Sequence, residues 1–421
     1  MKIAVIAPLM QSPAGGGAVT DIFETFGIIA RTNELLILSA RFLSSPFGRG
    51  VFKEKPQLNV NIIDFETLPD RETFIGRLLD ETAKFAPDAV VIADAWTTKP
   101  YLITEFRKHW PVVVRVYAEE LLCPRNNQRW LNAHLCDSST IENPNSCVDC
   151  ARQYRDFIYN LRNGADNPLT EEMRVADIFR NDYPATISAA LRGLHAIVSN
   201  SEMKSLLSSA GAARVSIVPL GVDTDFFSPS SDRRDRSKGN HFRILLAGRM
   251  DDKSKGFKTT LDACNILAEK GLKFELLATA STMPDPAMPV PPWLNLLGWL
   301  GRGEIRDLMR NSDCALVPSL CREAFGLAWA EAMAVHLPVI ASDTPGPLEY
   351  ITHGVDGLIF PKGDVAALAD SIEKLMTDDA LRKRIADAGF HMVTSKLKWS
   401  VSAAETLKAI KTAVAESSII T

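Results

Sequence analysis

The chain is predicted to be an α/β protein of two parallel-sheet domains, and three observations predict it. Short apolar runs of strand length alternate with segments of helical period through most of the sequence. The runs fall into two groups, separated by Ser228–Asn240, a polar and charged stretch with no apolar periodicity. With 421 residues, 46% apolar and 23% charged, the chain has material for two full cores. That composition excludes disorder and collagen-like structure. A formal net charge of -4 gives no global basic field and argues against a nucleic-acid binder held by general electrostatics.

The first strand is Ile3–Ala7, closed by Pro8 and followed by Gly15-Gly16-Gly17 and an apolar helical pattern from Val19. Pro8 interrupts the apolar run, so it lacks the uninterrupted core and cleavage site of a signal peptide. The glycine spacing is not the G-x-G-x-x-G dinucleotide fingerprint, which disfavours a nicotinamide dehydrogenase. Further strands are expected at Leu35–Leu38, Ala89–Ile92, Val112–Val116, Ala196–Val198 and Ile217–Val218. Asp94 and Trp96 follow Ala89–Ile92, where a carboxylate and an aromatic face suit the hydroxyls and C–H surface of an acceptor sugar. No apolar run approaches the roughly 20 residues that span a bilayer, so a cytoplasmic protein is expected, with peripheral membrane contact left open.

From Cys123 to about Tyr183 the pattern loses its period, which reads as an insertion in the first domain. It holds Cys123, Cys136, Cys147 and Cys150, and two readings stand: thiolate ligands of a structural zinc, or unmetallated thiols in a loop-rich segment. The second group of strands is Ile244–Ala247, Phe274–Ala278, Leu294–Leu296, Cys314–Val317, Val339–Ala341 and Gly357–Ile359. The expected domains are residues 1–227, a linker at 228–240, residues 241–395, and a C-terminal helix in 396–421 that crosses back to the first domain.

The densest chemistry begins at Leu320. Glu323 and Glu331 flank Phe325-Gly326-Leu327 at the start of an alanine-rich helix. If the whole span were helical, eight steps would separate the carboxylates by about 12 Å. That exceeds the roughly 5–9.5 Å window of carboxylate pairs that share one glycosidic bond. They suit opposite ends of one extended ligand, with the amides of Phe325, Gly326 and Leu327 between them as a phosphate site at a helix N-terminus. Arg249 and Lys255 follow Ile244–Ala247, at the carboxyl end of a parallel strand where ligands bind. Arg offers a fork to phosphate oxygens and Lys a compact charge.

On these residues, together with Pro219-Leu-Gly-Val-Asp223, Leu337-Pro-Val-Ile-Ala341 and Gly346–Glu349, the sequence resembles the family 4 retaining glycosyltransferases (glycosyl transferases group 1) of GT-B fold. The likeness is specific from about Ser199 to Phe360 and looser before. It implies two Rossmann-like domains facing across a cleft, with the donor in the second. Position by position it implies that Arg249 and Lys255 bind the donor diphosphate, that Glu323 faces the sugar, that Phe325–Leu327 contact sugar and phosphate through backbone amides, and that Glu331 holds the ribose hydroxyls. It also implies Gly16 and Gly17 on the acceptor side. A family His-Asp pair is replaced here by Tyr117 and Ala118, which removes a histidine-assisted step and leaves Tyr117 either lining the cleft or packed. His336 stands where the family commonly has Gly and reads as a surface cap. Asp223-Thr-Asp225 mimics a metal-binding D-x-D, but it leaves the last strand of the first domain for the linker.

The expected reaction is transfer of a sugar from a nucleoside-diphosphate sugar to a glycan, lipid-linked or small-molecule hydroxyl, with retention and no metal. Two other classes remain open: a sugar-nucleotide epimerase or phosphorylase on the same fold, and a catalytically silent nucleotide-sugar-binding subunit.

Overall fold

The computed structural model describes residues 1–8, 10, 16–44, 58–124, 130–131, 134–160, 175, 177, 181–230, 241–285 and 287–417. They form two compact units: Met1–Pro219 with Trp399–Thr421, and Leu220–Lys398.

The first unit is a seven-stranded parallel sheet. Its strands are β1 (Lys2–Ile6), β2 (Glu34–Phe42), β3 (Val60–Phe65), β4 (Ala89–Ile92), β5 (Val112–Arg115), β8 (His195–Val198) and β9 (Arg214–Ile217), with β6 (Trp130–Leu131) and β7 (His134–Leu135) pairing separately as an antiparallel hairpin. The order is β3-β2-β1-β4-β5-β8-β9, so the chain winds outward in both directions from β1 and β4. The central strands are apolar at successive residues because helices cover both faces of a parallel sheet. Its helices are α1 (Gly17–Ile29), α2 (Arg71–Phe85), α3 (Lys99–Phe106), α4 (Pro144–Asn160), α5 (Tyr183–Leu191) and α6 (Ser201–Ser209). Asp70 caps α2 by accepting from the Thr73 amide at 2.7 Å, and α2 stops at Ala86 in the left-handed region, φ 51°. Strand β3 was not expected. It is an edge strand, VNIIDF, in which only Ile63 and Phe65 are buried while Asn61 and Asp64 are exposed, so it carries a weaker apolar signal than a central strand.

The second unit is a six-stranded parallel sheet in the order β12-β11-β10-β13-β14-β15, from β10 (Phe242–Leu246), β11 (Phe274–Ala278), β12 (Leu294–Leu296), β13 (Cys314–Val317), β14 (Val339–Ser342) and β15 (Leu358–Phe360). Its helices are α7 (Phe257–Glu269), α8 (Arg302–Arg310), α9 (Leu327–Ala334), α10 (Pro345–Tyr350), α11 (Val365–Thr377) and α12 (Asp379–Lys396). The second unit starts at Leu220, ahead of the expected linker. Phe227 is buried, the Arg302 guanidinium lies 4.8 Å from the Phe226 ring centre, and Arg310 donates to the Ser228 carbonyl at 2.7 Å. These contacts fasten Phe226–Ser228, and with it the first residue of the polar run, to α8, whereas residues 231–240 of that run lie outside the described residues.

The last helix, α13 (Trp399–Ser417), belongs to the first unit. Ala403, Ile410 and Ala413 join Ile3, Val5, Ile22 and Phe26 in one buried cluster, and the Ser402 and Thr25 hydroxyls meet at 3.3 Å.

Candidate functional site

In the second unit, the loop after β10 and the loop after β13 are fastened together by backbone. The Asp252 carboxylate accepts from the amide and hydroxyl of Ser254 at 2.9 and 2.7 Å, winding Lys253–Lys255 into a 3-10 turn. The Ser254 carbonyl then accepts from the Leu320 amide at 2.7 Å. Gly256 permits this approach, because φ is +76° and a Cβ would stand 1.9 Å from the Pro318 carbonyl oxygen. As a result Lys255 Nζ meets Glu323 Oε2 at 2.6 Å, and the Ser319 hydroxyl donates to the same oxygen at 3.0 Å. Burial works against the charge on each partner, but each outweighs it for the other: the Lys255 ammonium is held above the usual lysine value and the Glu323 carboxyl below the usual carboxylate value.

A second glycine joins this pair to α9. Gly326 adopts φ 84° at the N-terminus of the helix, and a Cβ there would lie 3.0 Å from Glu323 Cγ. The Phe325 ring is buried against Trp329 and Tyr350, each 5.2 Å between centres, so Phe325 offers backbone alone. Its carbonyl accepts from the Trp329 indole at 2.6 Å. Gly346 seals the back of the turn: its amide donates to the Glu323 carbonyl at 2.7 Å, and a Cβ would sit 2.4 Å from the Phe325 oxygen.

Along the same helix, Glu331 opens into a cavity of about 200 Å³ shared with Gly248, Arg249, Thr279, Trp299, Leu300 and Met309. Burial pushes the Glu331 carboxyl up to about 7, against the pull of the Arg302 cation. The Thr279 hydroxyl, just past β11, accepts from the Gly248 amide at 2.8 Å and donates to the Gly248 carbonyl at 2.7 Å, holding the loop that carries Arg249. Arg249, Lys255, Glu323, Phe325–Leu327 and Glu331 are therefore gathered around two loops and one helix.

Thr279, Ser319 and Trp299 were missed. Trp299 is 73% exposed at the cavity, and its signal was readable by the rule that found Arg249, since it follows β12 at the carboxyl edge of the sheet. His336 ends α9 at φ 68°, a conformation that explains a family glycine, and it pairs with Asp387 at 2.7 Å.

The first unit departs further from expectation. Gly16 and Gly17 begin α1, and Gly15 lies outside the described residues. Trp96 is 7% exposed and packed in the core, so it presents no face to a sugar, whereas Asp94 is half-buried. The half-buried Tyr117 donates its hydroxyl to Asp21 at 2.8 Å, and burial together with the Asp21 carboxylate raises its phenol well above the usual value. Beneath it, Arg115 pairs with Asp21 at 3.0 Å and Lys99 with Glu120 at 2.6 Å, all four buried. Glu120 also accepts from the amides of Tyr117 and Ala118 at 3.0 and 2.7 Å. The overlooked signal is the charge that ends the apolar run Val112–Arg115. Cys147 and Cys150 ride on α4 rather than on the turn of a zinc knuckle, and the Cys136 thiol faces the Ser138 carbonyl at 3.7 Å. Among the described residues no group of three or more His, Cys, Asp or Glu side chains is gathered to hold a metal. Asp223 accepts from the Phe226 amide at 3.0 Å, as a turn residue does.

Two doubly wound parallel sheets, the second carrying this glycine-shaped site at its carboxyl edge, define the fold class: two Rossmann-like domains of GT-B type. Residues 291–392 match the family model "Glycosyl transferases group 1". The chain is 30% identical over 199 residues to phosphatidyl-myo-inositol mannosyltransferase of Mycobacterium leprae, a stretch that covers 46% of this chain and 53% of that protein. It spans about half the length of the curated relatives it matches. Sucrose-phosphate synthase of Thermosynechococcus elongatus shares the fold at a TM-score of 0.69, 18% identity and 99% coverage of both chains. HepE of Anabaena, solved with UDP and glucose, does so at 0.66 and 16%, over 98% of this chain and 99% of its own. No helix among the described residues is long and apolar enough to cross a membrane.

Proposed function

We propose that the protein transfers a sugar from a nucleoside-diphosphate sugar to an acceptor hydroxyl with retention of anomeric configuration and without a metal ion. The observation that carries this is the double use of α9: its N-terminus abuts the Lys255–Glu323 pair, and its Glu331 opens into the cavity that Arg249 lines. A sugar, a diphosphate and a ribose laid along that helix meet, in turn, a carboxylate, cations with free helix amides, and a second carboxylate.

In the reaction the bond from the anomeric carbon to the diphosphate oxygen breaks as the bond to the acceptor oxygen forms on the same face, and the acceptor proton passes to the departing diphosphate. Lys255, Arg249 and the amides at the start of α9 meet the negative charge that grows on the leaving group. Glu323 keeps Lys255 charged and in place, and accepts from sugar hydroxyls. No protein base is required, which suits a chain with Tyr117 in place of the family histidine.

Lys255→Ala and Glu323→Ala are each expected to lower turnover about 100-fold or more, the order of effect of losing one preorganised donor, with the fold kept but thermal stability lowered, because the partner is left as an unpaired, mostly buried charge. Activity at the parent level in both variants overturns the reading. Nucleoside diphosphates at about 100 times their Kd are expected to add about 2.7 kcal/mol of stability in the parent, and less in Lys255→Ala.

A further inference from the structure

The first unit holds a second cavity, of about 700 Å³, bounded by α2, α3 and α5. That is inside the roughly 300–1,000 Å³ range of small-molecule sites. It exists because the facing helices carry small residues: Ala185 and Ala189 stand one turn apart on α5, and a Cβ on Gly76 of α2 would meet nothing within 4 Å.

Two buried polar atoms at this cavity, Tyr101 Oη and Arg71 Nη1, make no well-directed hydrogen bond among the described residues, although the two side chains lie close enough to interact with each other. Tyr101 is 7% exposed, and the Arg71 guanidinium lies 4.2 Å over its ring, with Nη2 donating to Glu72 at 3.0 Å. The neighbouring hydroxyls spend their protons on backbone, Thr104 donating to the Tyr101 carbonyl at 2.9 Å and Thr186 to the Asp182 carbonyl at 3.1 Å, so towards the cavity they can act only as acceptors. Buried polar atoms are seldom left unpaired, so this pair points to an occupant.

Charge selects its class. Cations already offset the carboxylates here: Arg71 pairs with Glu72 at 3.0 Å and Lys108 with Glu105 at 2.6 Å, beside Asp182. An anion is repelled by the three carboxylates, and the places a cation would take on Glu72 and Glu105 are filled by Arg71 and Lys108. A neutral polyol meets neither obstacle: its hydroxyls accept from Arg71 and exchange hydrogen bonds with Tyr101, and they donate to carboxylates, while Ile75 and Leu79 suit its C–H faces. We infer that this groove is a saccharide-binding site for neutral glycan, in the first unit and separate from the nucleotide cavity of the second.

The test is saturation-transfer NMR on the full-length protein with neutral gluco-, manno- and galacto-oligosaccharides at millimolar concentration, beside a glucuronate-containing set. Saturation transfer to at least one neutral oligosaccharide is expected, abolished in Ala189→Trp or Ala185→Trp and weakened tenfold or more in Arg71→Gln. Both alanines are exposed, so tryptophan at either fills the groove without entering the core. Nucleoside-diphosphate binding, read by thermal shift, is expected to be unchanged in all three variants, so failure of the donor reading and failure of this one are seen separately. The inference is overturned if no neutral oligosaccharide binds, leaving the groove to water, if binding survives both tryptophan variants, or if the acidic set binds more tightly.

Discussion

At the scale of single residues, the site sets two carboxylates to different states. Glu323 is paired with a cation and stays ionised, whereas burial pushes the Glu331 carboxyl to about 7 from an ordinary 4.5, against the pull of Arg302. A raised carboxyl pKa means the unfolded chain gives up its proton first. Stability from this group is therefore fully present at low pH, declines between about 4.5 and 7, and is flat above. Glu331→Gln removes that decline, so the variant is expected to gain stability relative to the parent as pH rises through this window, as read by thermal unfolding across pH. A ribose hydroxyl donates best to the ionised carboxylate. Nucleotide affinity of the parent is thus expected to rise with pH up to about 7, and that of the variant to be lower and flat.

At the scale of elements, glycines decide how closely the loops that carry Lys255 and Glu323 approach. Gly256 carries both a left-handed φ and a Pro318 carbonyl in the space of its missing Cβ. Gly256→Ala is expected to cost on the order of 1–3 kcal/mol from backbone conformation alone, and to spread the loops that set Lys255 against Glu323. Gly271 shares the conformation, φ +77°, but a Cβ there meets nothing within 4 Å. Gly271→Ala should therefore lose some stability and keep parental nucleotide affinity, while Gly256→Ala loses both. Equal nucleotide affinity in the two variants contradicts the assigned role of the loop contact.

At the scale of the whole molecule, the chain finishes the core of its first unit with its last helix. Ile410 is fully buried among residues of β1 and α1, nearly four hundred positions earlier in sequence. Removing its side chain from a packed site leaves a cavity. Ile410→Ala is expected to destabilise the first unit by about 2–5 kcal/mol, seen as a lower urea midpoint for that unit with the transition of the second unit unmoved. A loss confined to the second unit's transition would contradict the assignment of α13.

The sequence by itself determined the class of each domain, since buried parallel strands must be apolar at consecutive residues and their crossover helices periodic. Glu323, Gly326 and Glu331 were legible as a group because they lie within nine consecutive residues, on a helix and the turn that leads into it. The edge strand β3 was not legible, because half its residues face away from the core. Only the tertiary structure decided that Lys255 lies against Glu323, 68 positions away, through a backbone contact that glycine permits. It also decided that Trp96 points into a core, and that Asp21, Lys99, Arg115 and Glu120 are buried as two ion pairs. A charged residue read alone is assigned to solvent; its burial depends on a partner that the fold brings from elsewhere in the chain.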